Sequence, residues 1–188
     1  IVTRHDAHAQ QVVDALKSGK NVFVEKPLAL TLDELDIIDK AYHEANQTNT
    51  VRLMVGFNRR YAPHVVKMRE LLDSHRSPKS IIMTVNAGAI PGEHWVQNSL
   101  IGGGRIIGEG CHFIDLMRHL VGHKITNFQA MMMGNVPGVE VREDKASITL
   151  SFEDGSFGTI HYLANGGSAF PKERIEVFCD NAVLQMDN

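Results

Sequence analysis

Along the opening stretch of the chain the apolar positions switch between two periods. Ala9, Val12, Val13 and Leu16 recur at the spacing of one helix face, and the run NVFV at 21–24 then carries β-branched and aromatic residues without polar alternation. The first pattern predicts an amphipathic helix, capped by Asp6 and closed by Gly19 in the left-handed conformation. The second predicts a parallel strand covered on both faces. A further helix follows, because Thr31 and Glu34 have capping-box spacing and Leu30 and Leu35 can staple around it. Its core face is Leu35, Ile38, Ala41, Tyr42 and Ala45. VRLMVGF at 51–57 reads as another apolar strand, ending at Asn58, Arg59 and Arg60, and Ile1 to Thr3 reads as the end of an earlier one. The order β-α-β-α-β is that of a parallel sheet with right-handed crossovers.

The pattern changes after Tyr61. A helix is expected from about Pro63 to Leu72, then the breakers Ser77 and Pro78, the strand IIMTVNAG, the loop PGEHWVQNSLIGGG and a helix from about Glu109 to Leu120. Strand patterns fill the rest: ITNFQAMMMG, ASITLSF, GTIHYLA, IEVFC and AVLQM, with a hairpin turn at Glu153, Asp154 and Gly155. The methionines Met131 to Met133 read as sheet filler. The expected fold is therefore α/β followed by α+β. Residues 1–60 supply part of a doubly wound sheet, and 61–188 a domain with a mainly antiparallel open sheet.

Composition narrows the class without changing that picture. The 188 residues are 43% hydrophobic, enough for a real core, and 19 basic against 22 acidic residues give a formal charge of −3 without long runs. Neither nucleic acid nor an anionic membrane is suggested as a partner, and no apolar stretch reaches the roughly 20 residues that span a bilayer. Two cysteines, Cys111 and Cys179, lack CxxC spacing, which disfavours a disulfide scaffold or a structural zinc site and fits a reducing, cytoplasmic setting.

The segment VEKPLAL at 24–30 interrupts an apolar run with Glu25, Lys26 and Pro27. Charges at the end of a parallel strand stand at the carboxyl edge, where open α/β sheets bind ligands. VFVEKPLALT, VGFNRRY and GGGRIIGEGCHFIDL, in that order, resemble the glucose-fructose oxidoreductase/inositol dehydrogenase (Gfo/Idh/MocA) family of nicotinamide-dependent dehydrogenases. The resemblance covers almost the whole chain. It implies that 1–60 is the later part of an NAD(P)-binding Rossmann domain and that 61–188 binds substrate and forms a homo-oligomer through its sheet. The implied reaction moves a hydride between NAD or NADP and a secondary hydroxyl of a sugar or cyclic polyol. The family's GxGxxG turn is absent from this chain, so the 188 residues alone are expected to bind the dinucleotide weakly and to lack turnover.

The resemblance assigns roles that stand beside plainer readings. Lys26 is the residue expected to stabilise an alkoxide at the reacting oxygen, and otherwise a solvated surface charge. Glu25 positions that lysine, contacts the cofactor ribose or forms a salt bridge; Pro27 sets the direction of the turn. Thr3, His5 and His8 follow the first strand, where family members contact the cofactor; no third ligand accompanies the two histidines, so a metal is not expected. His112 is the expected general base, since an ordinary imidazole titrates at about 6.5, or else a hydrogen-bonded core histidine. The family pattern places an Asp four residues before it, where this chain has Gly108, with the acid displaced to Glu109. Asp115 orients His112 or serves structure. Asn58 and Arg60 end a strand at the ligand edge, and His94 and Trp95 stand in a loop where a ring can hold a sugar face; surface pairing and packing are the alternatives. A catalytically silent sugar- or nucleotide-sensing module of the same fold is the competing function, motivated by the displaced acid.

Overall fold

The computed structural model describes all 188 residues. They form two compact units, one of Ile1–Phe57 with Glu93–Cys111 and one of Asn58–Gly92 with His112–Asn188.

In the first unit a 3-10 turn at His5–Ala7 leads into α1 (His8–Lys17), followed by β1 (Val22–Val24), α2 (Leu32–Thr48) and β2 (Leu53–Val55). β1 and β2 pair in parallel, with Val22 opposite Leu53 and Val24 opposite Val55. One buried cluster joins Val12, Val13 and Leu16 of α1, Val22 and Val24 of β1, and Ile38 and Ala41 of α2. That cluster covers a single side of the strand: Phe23 and Met54, on the other side, are 49% and 45% exposed, against the expectation of two covered faces. α1 ends as its sequence predicts. Gly19 has φ +66°, its N–H donates to the Leu16 carbonyl at 2.9 Å and that of Lys20 to the Ala15 carbonyl at 3.0 Å, the paired bonds of a Schellman motif. Its start differs. Asp6 sits inside the 3-10 turn and makes no side-chain cap; instead its backbone N–H donates to the Ile101 carbonyl at 3.1 Å. α2 begins with the expected capping box of Thr31 and Glu34, but Leu35 stays exposed because the buried cluster reaches only Ile38, Ala41 and Ala45, with Tyr42 partly covered.

The second unit opens with a 3-10 turn at Asn58–Tyr61 and α3 (Pro63–Leu72), then β3 (Ser80–Asn86), α4 (Cys111–Val121), β4 (Ile125–Met132), β5 (Lys145–Phe152), β6 (Phe157–Leu163), β7 (Glu173–Cys179) and β8 (Ala182–Asp187). The strands make one six-stranded sheet in the order β4-β5-β6-β3-β7-β8, antiparallel except where β3 lies parallel to β6. Strict alternation along β5 buries Ala146, Ile148, Leu150 and Phe152 and turns Ser147 and Thr149 to the other face. Phe113, Leu116, Met117 and Leu120 are among the buried residues of α4. The opposite sheet face is Ser- and Thr-rich, with Thr149 bonded to Thr159 at 3.0 Å and Ser147 to His161 at 2.9 Å. Met131 and Met132 fill no core: β4 is an edge strand and leaves them 76% and 57% exposed. No helix is long and apolar enough to cross a membrane.

The helix expected from Glu109 has a different beginning. Residues Ile106–Gly110 wind as a π turn in which the Cys111 N–H reaches back to the Ile106 carbonyl, and regular α geometry starts only at Cys111.

Candidate active site

In the first unit the residues singled out by the sequence gather at the carboxyl end of β1. The strand stops at Val24, and Glu25 and Lys26 follow as the chain leaves the sheet through a cis peptide to the buried Pro27. The half-buried Lys26 donates from Nζ to the Gly108 carbonyl at 2.7 Å. An ammonium carries three N–H donors, so this bond holds its direction and leaves others for an incoming oxygen. The Glu25 carboxylate lies against Gly56 beyond the end of β2, where an added Cβ would stand 3.0 Å from its Oε1. A side chain there would push Glu25 away from the sheet edge.

His8 is fully buried and both its ring nitrogens face backbone carbonyls, Nδ1 at 2.7 Å from that of Pro27 and Nε2 at 3.1 Å from that of Thr3. It therefore ties the start of α1 to the turn after β1. The Thr3 hydroxyl donates to Gln11 Oε1 at 3.0 Å.

His5 comes from the 3-10 turn, is 9% exposed, and has its Nδ1 2.8 Å from the Gly102 carbonyl. Burial is the main cause that keeps its pKa below the ordinary 6.5; the bond to Gly102 opposes the shift and the Lys26 charge adds to it. Trp95 sets its ring edge-on to His5, with centroids 4.9 Å apart, and the Arg4 guanidinium stands 5.5 Å from the Trp95 ring centre. Trp95 is thus packed between protein groups. His94 is exposed, and its Nδ1 accepts from the Val96 N–H at 3.3 Å, capping the short turn Trp95–Gln97.

The π turn carries Glu109, whose carboxylate accepts from Arg105 at 2.8 Å. Sequence reasoning missed Arg105, although its four-residue spacing from Glu109 was the available signal. In the sequence Gly108 marks only the place of a missing acid. Its carbonyl, invisible in a list of side chains, is what holds Lys26.

In the second unit His112 is buried in the first turn of α4. One turn on, Asp115 takes the Arg60 guanidinium in a two-pronged ion pair, Nε to Oδ2 at 2.6 Å and Nη2 to Oδ1. The fork offered to a substrate anion by the sequence thus holds a protein carboxylate. Arg59 pairs with the buried Glu173 and lays its guanidinium 4.5 Å from the ring centre of Phe113, while Asn58 is exposed at the turn. Lys26, Glu109, His5, His8 and Trp95 belong to the first unit, and His112, Asp115, Arg60 and Asn58 to the second.

Comparison with known proteins bears on this arrangement. The model of an oxidoreductase family with an NAD-binding Rossmann fold matches residues 1–57, and that of the GFO/IDH/MocA C-terminal domain matches 65–185. The chain is 29% identical over 96% of its length to the uncharacterized oxidoreductase YrbE of Bacillus subtilis, covering 52% of that protein. It is 32% identical over 85% of its length to scyllo-inositol 2-dehydrogenase (NAD(+)) of the same species, covering 46% of it. Among solved structures, an oxidoreductase domain protein from Kribbella flavida superposes with a TM-score of 0.80 at 25% identity, over 98% of this chain and 54% of that one. The chain thus spans about half the length of the relatives it matches. These relatives are oxidoreductases, which gives the silent sensing module no support.

Proposed function

The chain belongs to the GFO/IDH/MocA family of oxidoreductases, and from that premise we infer that the protein carrying it is an NAD- or NADP-dependent dehydrogenase acting on a secondary hydroxyl of a sugar or cyclic polyol. The observation that carries the reading is Lys26, directed by the Gly108 carbonyl at the carboxyl edge of a parallel strand pair. The residues there suit the ribose end of a dinucleotide: the Glu25 carboxylate accepts from hydroxyls and the Lys26 ammonium donates to them. Thr3, His5, His8 and Pro27 shape the same edge. Bound NAD or NADP supplies the hydride chemistry. Lys26 donates to the reacting oxygen and stabilises the charge that develops on it, and His112 accepts the hydroxyl proton. Glu109, already paired with Arg105, assists as a fixed carboxylate rather than as a mobile proton carrier. On the substrate side the reading places Asn58, His94, Trp95 and the Arg60–Asp115 pair, with the guanidinium held by Asp115 rather than offered as an open fork. The name of the 32% identical relative favours an inositol as the first substrate to try.

In this reading residues 1–60 serve the cofactor and 61–188 serve the substrate and a homo-oligomer built on the open sheet face. There Ile82, Phe157 and Phe178 are exposed among Ser and Thr. The test is reduced-cofactor production by the full-length protein with NAD and NADP against inositols and aldoses. Lys26→Ala and His112→Ala are each expected to lower kcat by on the order of a hundredfold. A variant at the wild-type rate removes that residue from the chemistry. Sedimentation of the same preparation as a monomer would remove the oligomer.

A further inference from the structure

Gly108 has no side chain, and the space where one would begin is taken. A Cβ built on it would stand 3.0 Å from His5 Cε1 and 3.4 Å from both His5 Nδ1 and the Gly102 carbonyl oxygen. The imidazole therefore lies directly over the backbone of the residue that holds Lys26. A carbonyl oxygen only accepts, so the 2.8 Å bond between His5 Nδ1 and the Gly102 carbonyl assigns the ring proton to Nδ1. One further contact holds the neighbouring backbone and one holds the ring. The N–H of Asp6, the next residue, is bonded to the Ile101 carbonyl at 3.1 Å, and Trp95 closes on the imidazole edge-on. The charged and titratable groups acting on His5 are Lys26, His8 and Asp6, with Arg4 held beyond Trp95. Thus one side chain from the turn before α1 clamps the glycine-rich loop at Gly102 and limits where Gly108 can move, while the Gly108 carbonyl receives the Lys26 ammonium at 2.7 Å.

We propose that His5 is a positioning residue for Lys26: through its Nδ1–H bond to Gly102 and its contact with Gly108 it holds the carbonyl that aims the ammonium. This rests on the reading of Lys26 as the group that meets the reacting oxygen, and it gives His5 a task other than touching the cofactor. It also explains physically why position 108 bears no side chain. A Cβ there sits tight against the ring and requires it, or the loop, to give by a few tenths of an ångström.

The test uses the full-length protein and three substitutions. His5→Leu keeps bulk but removes the donor, His5→Asn keeps an N–H near the place of Nδ1–H, and Gly108→Ala sets a methyl tightly against the ring. His5→Leu is expected to lower kcat by about ten- to a hundredfold, the size of effect that a misplaced catalytic group produces, with KM for NAD or NADP little changed. His5→Asn should restore most of that loss. Gly108→Ala should lower kcat similarly, and the double variant His5→Leu/Gly108→Ala should fall clearly short of the two losses combined, because both disturb one contact. The structural arm stands apart from turnover. NMR of the ring nitrogens of His5 should show the proton on Nδ1, and a crystal structure of His5→Leu should show Lys26 Nζ moved out of hydrogen-bond reach of the Gly108 carbonyl. Absence of turnover in the wild-type protein would sink the dehydrogenase reading while leaving this structural arm decisive. The proposal is overturned if His5→Leu leaves Lys26 on Gly108, if Nδ1 carries no proton, or if the variant raises only the cofactor KM, which would make His5 a cofactor contact.

Discussion

Asp115 and Arg60 show at the scale of one side chain how a recognisable residue changes meaning once it has neighbours. An arginine at the end of a strand pattern reads as a fork for a substrate anion, yet its Nε and Nη2 both end on Asp115, whose side chain is only 9% exposed. Replacing that carboxylate with an amide leaves the guanidinium without its charged partner. Asp115→Asn is expected to destabilise the protein by about 1–3 kcal/mol, the range for a charge-assisted bond in a partly buried setting. Urea unfolding measures it, and a midpoint within error of wild type would mean that Arg60 is free to serve a substrate. Lys26 and His112 were legible as residues because charge and imidazole interrupt apolar runs. The bond that directs Lys26 was not, since its acceptor is a backbone carbonyl 82 residues away in sequence.

Among the elements, those with local chemistry were read best. The capping box of α2 closes as its spacing predicts: the Thr31 hydroxyl accepts from the Glu34 N–H at 3.2 Å, and the Glu34 carboxylate accepts from the Thr31 N–H at 3.1 Å. Thr31→Ala removes the first of these bonds and is expected to cost about 1 kcal/mol, while Thr31→Ser should retain most of the cap. Thermal unfolding of the pair against wild type checks this, and equal stability of the alanine variant would show that packing alone sets the start of α2. The entry to α4 was misread for a reason of the same scale. Periodicity assumes 3.6 residues per turn, and the five-residue π turn at Ile106–Gly110 slips the register between Glu109 and His112. Asp6 failed as a cap because a 3-10 turn intervenes before α1 and its N–H is drawn to the Ile101 carbonyl.

For the molecule as a whole, two histidines, the buried His5 and the half-buried His119, couple folding to pH. His5 is held below its ordinary pKa of 6.5 chiefly by burial, and His119 likewise by burial and then by the charges of Arg60 and Arg69. Between the lowered folded value and 6.5 the unfolded chain binds more protons than the folded one, so stability rises with pH through that window. The contribution is complete above 6.5 and is lost as pH falls through the folded values. Unfolding free energy is expected to drop between pH 7 and pH 5, and His119→Gln to make the drop shallower. An unchanged slope in that variant would show that its imidazole titrates alike in both states.

What the sequence determined by itself is what short-range physics controls. The period of apolar residues set α1, α2, α3 and the alternating strands; Gly19 and the Thr31–Glu34 pair set helix ends; Asp154-Gly155 set the β5–β6 hairpin, with Gly155 at φ +86°. The position of Glu25 and Lys26 just past the carboxyl end of β1 followed from the same patterns. Tertiary structure alone decided the rest. β3 lies between β6 and β7, parallel to one and antiparallel to the other, because pairing across a sheet is settled by which hydrophobic faces can be buried together and leaves no mark within either strand. Residues 93–111 fold with the first unit although they follow β3 in the chain, and it is that return which brings the carbonyls of Gly102 and Gly108 to His5 and Lys26. A carbonyl has no residue type to read, so a site built on backbone acceptors is specified only once the chain has folded.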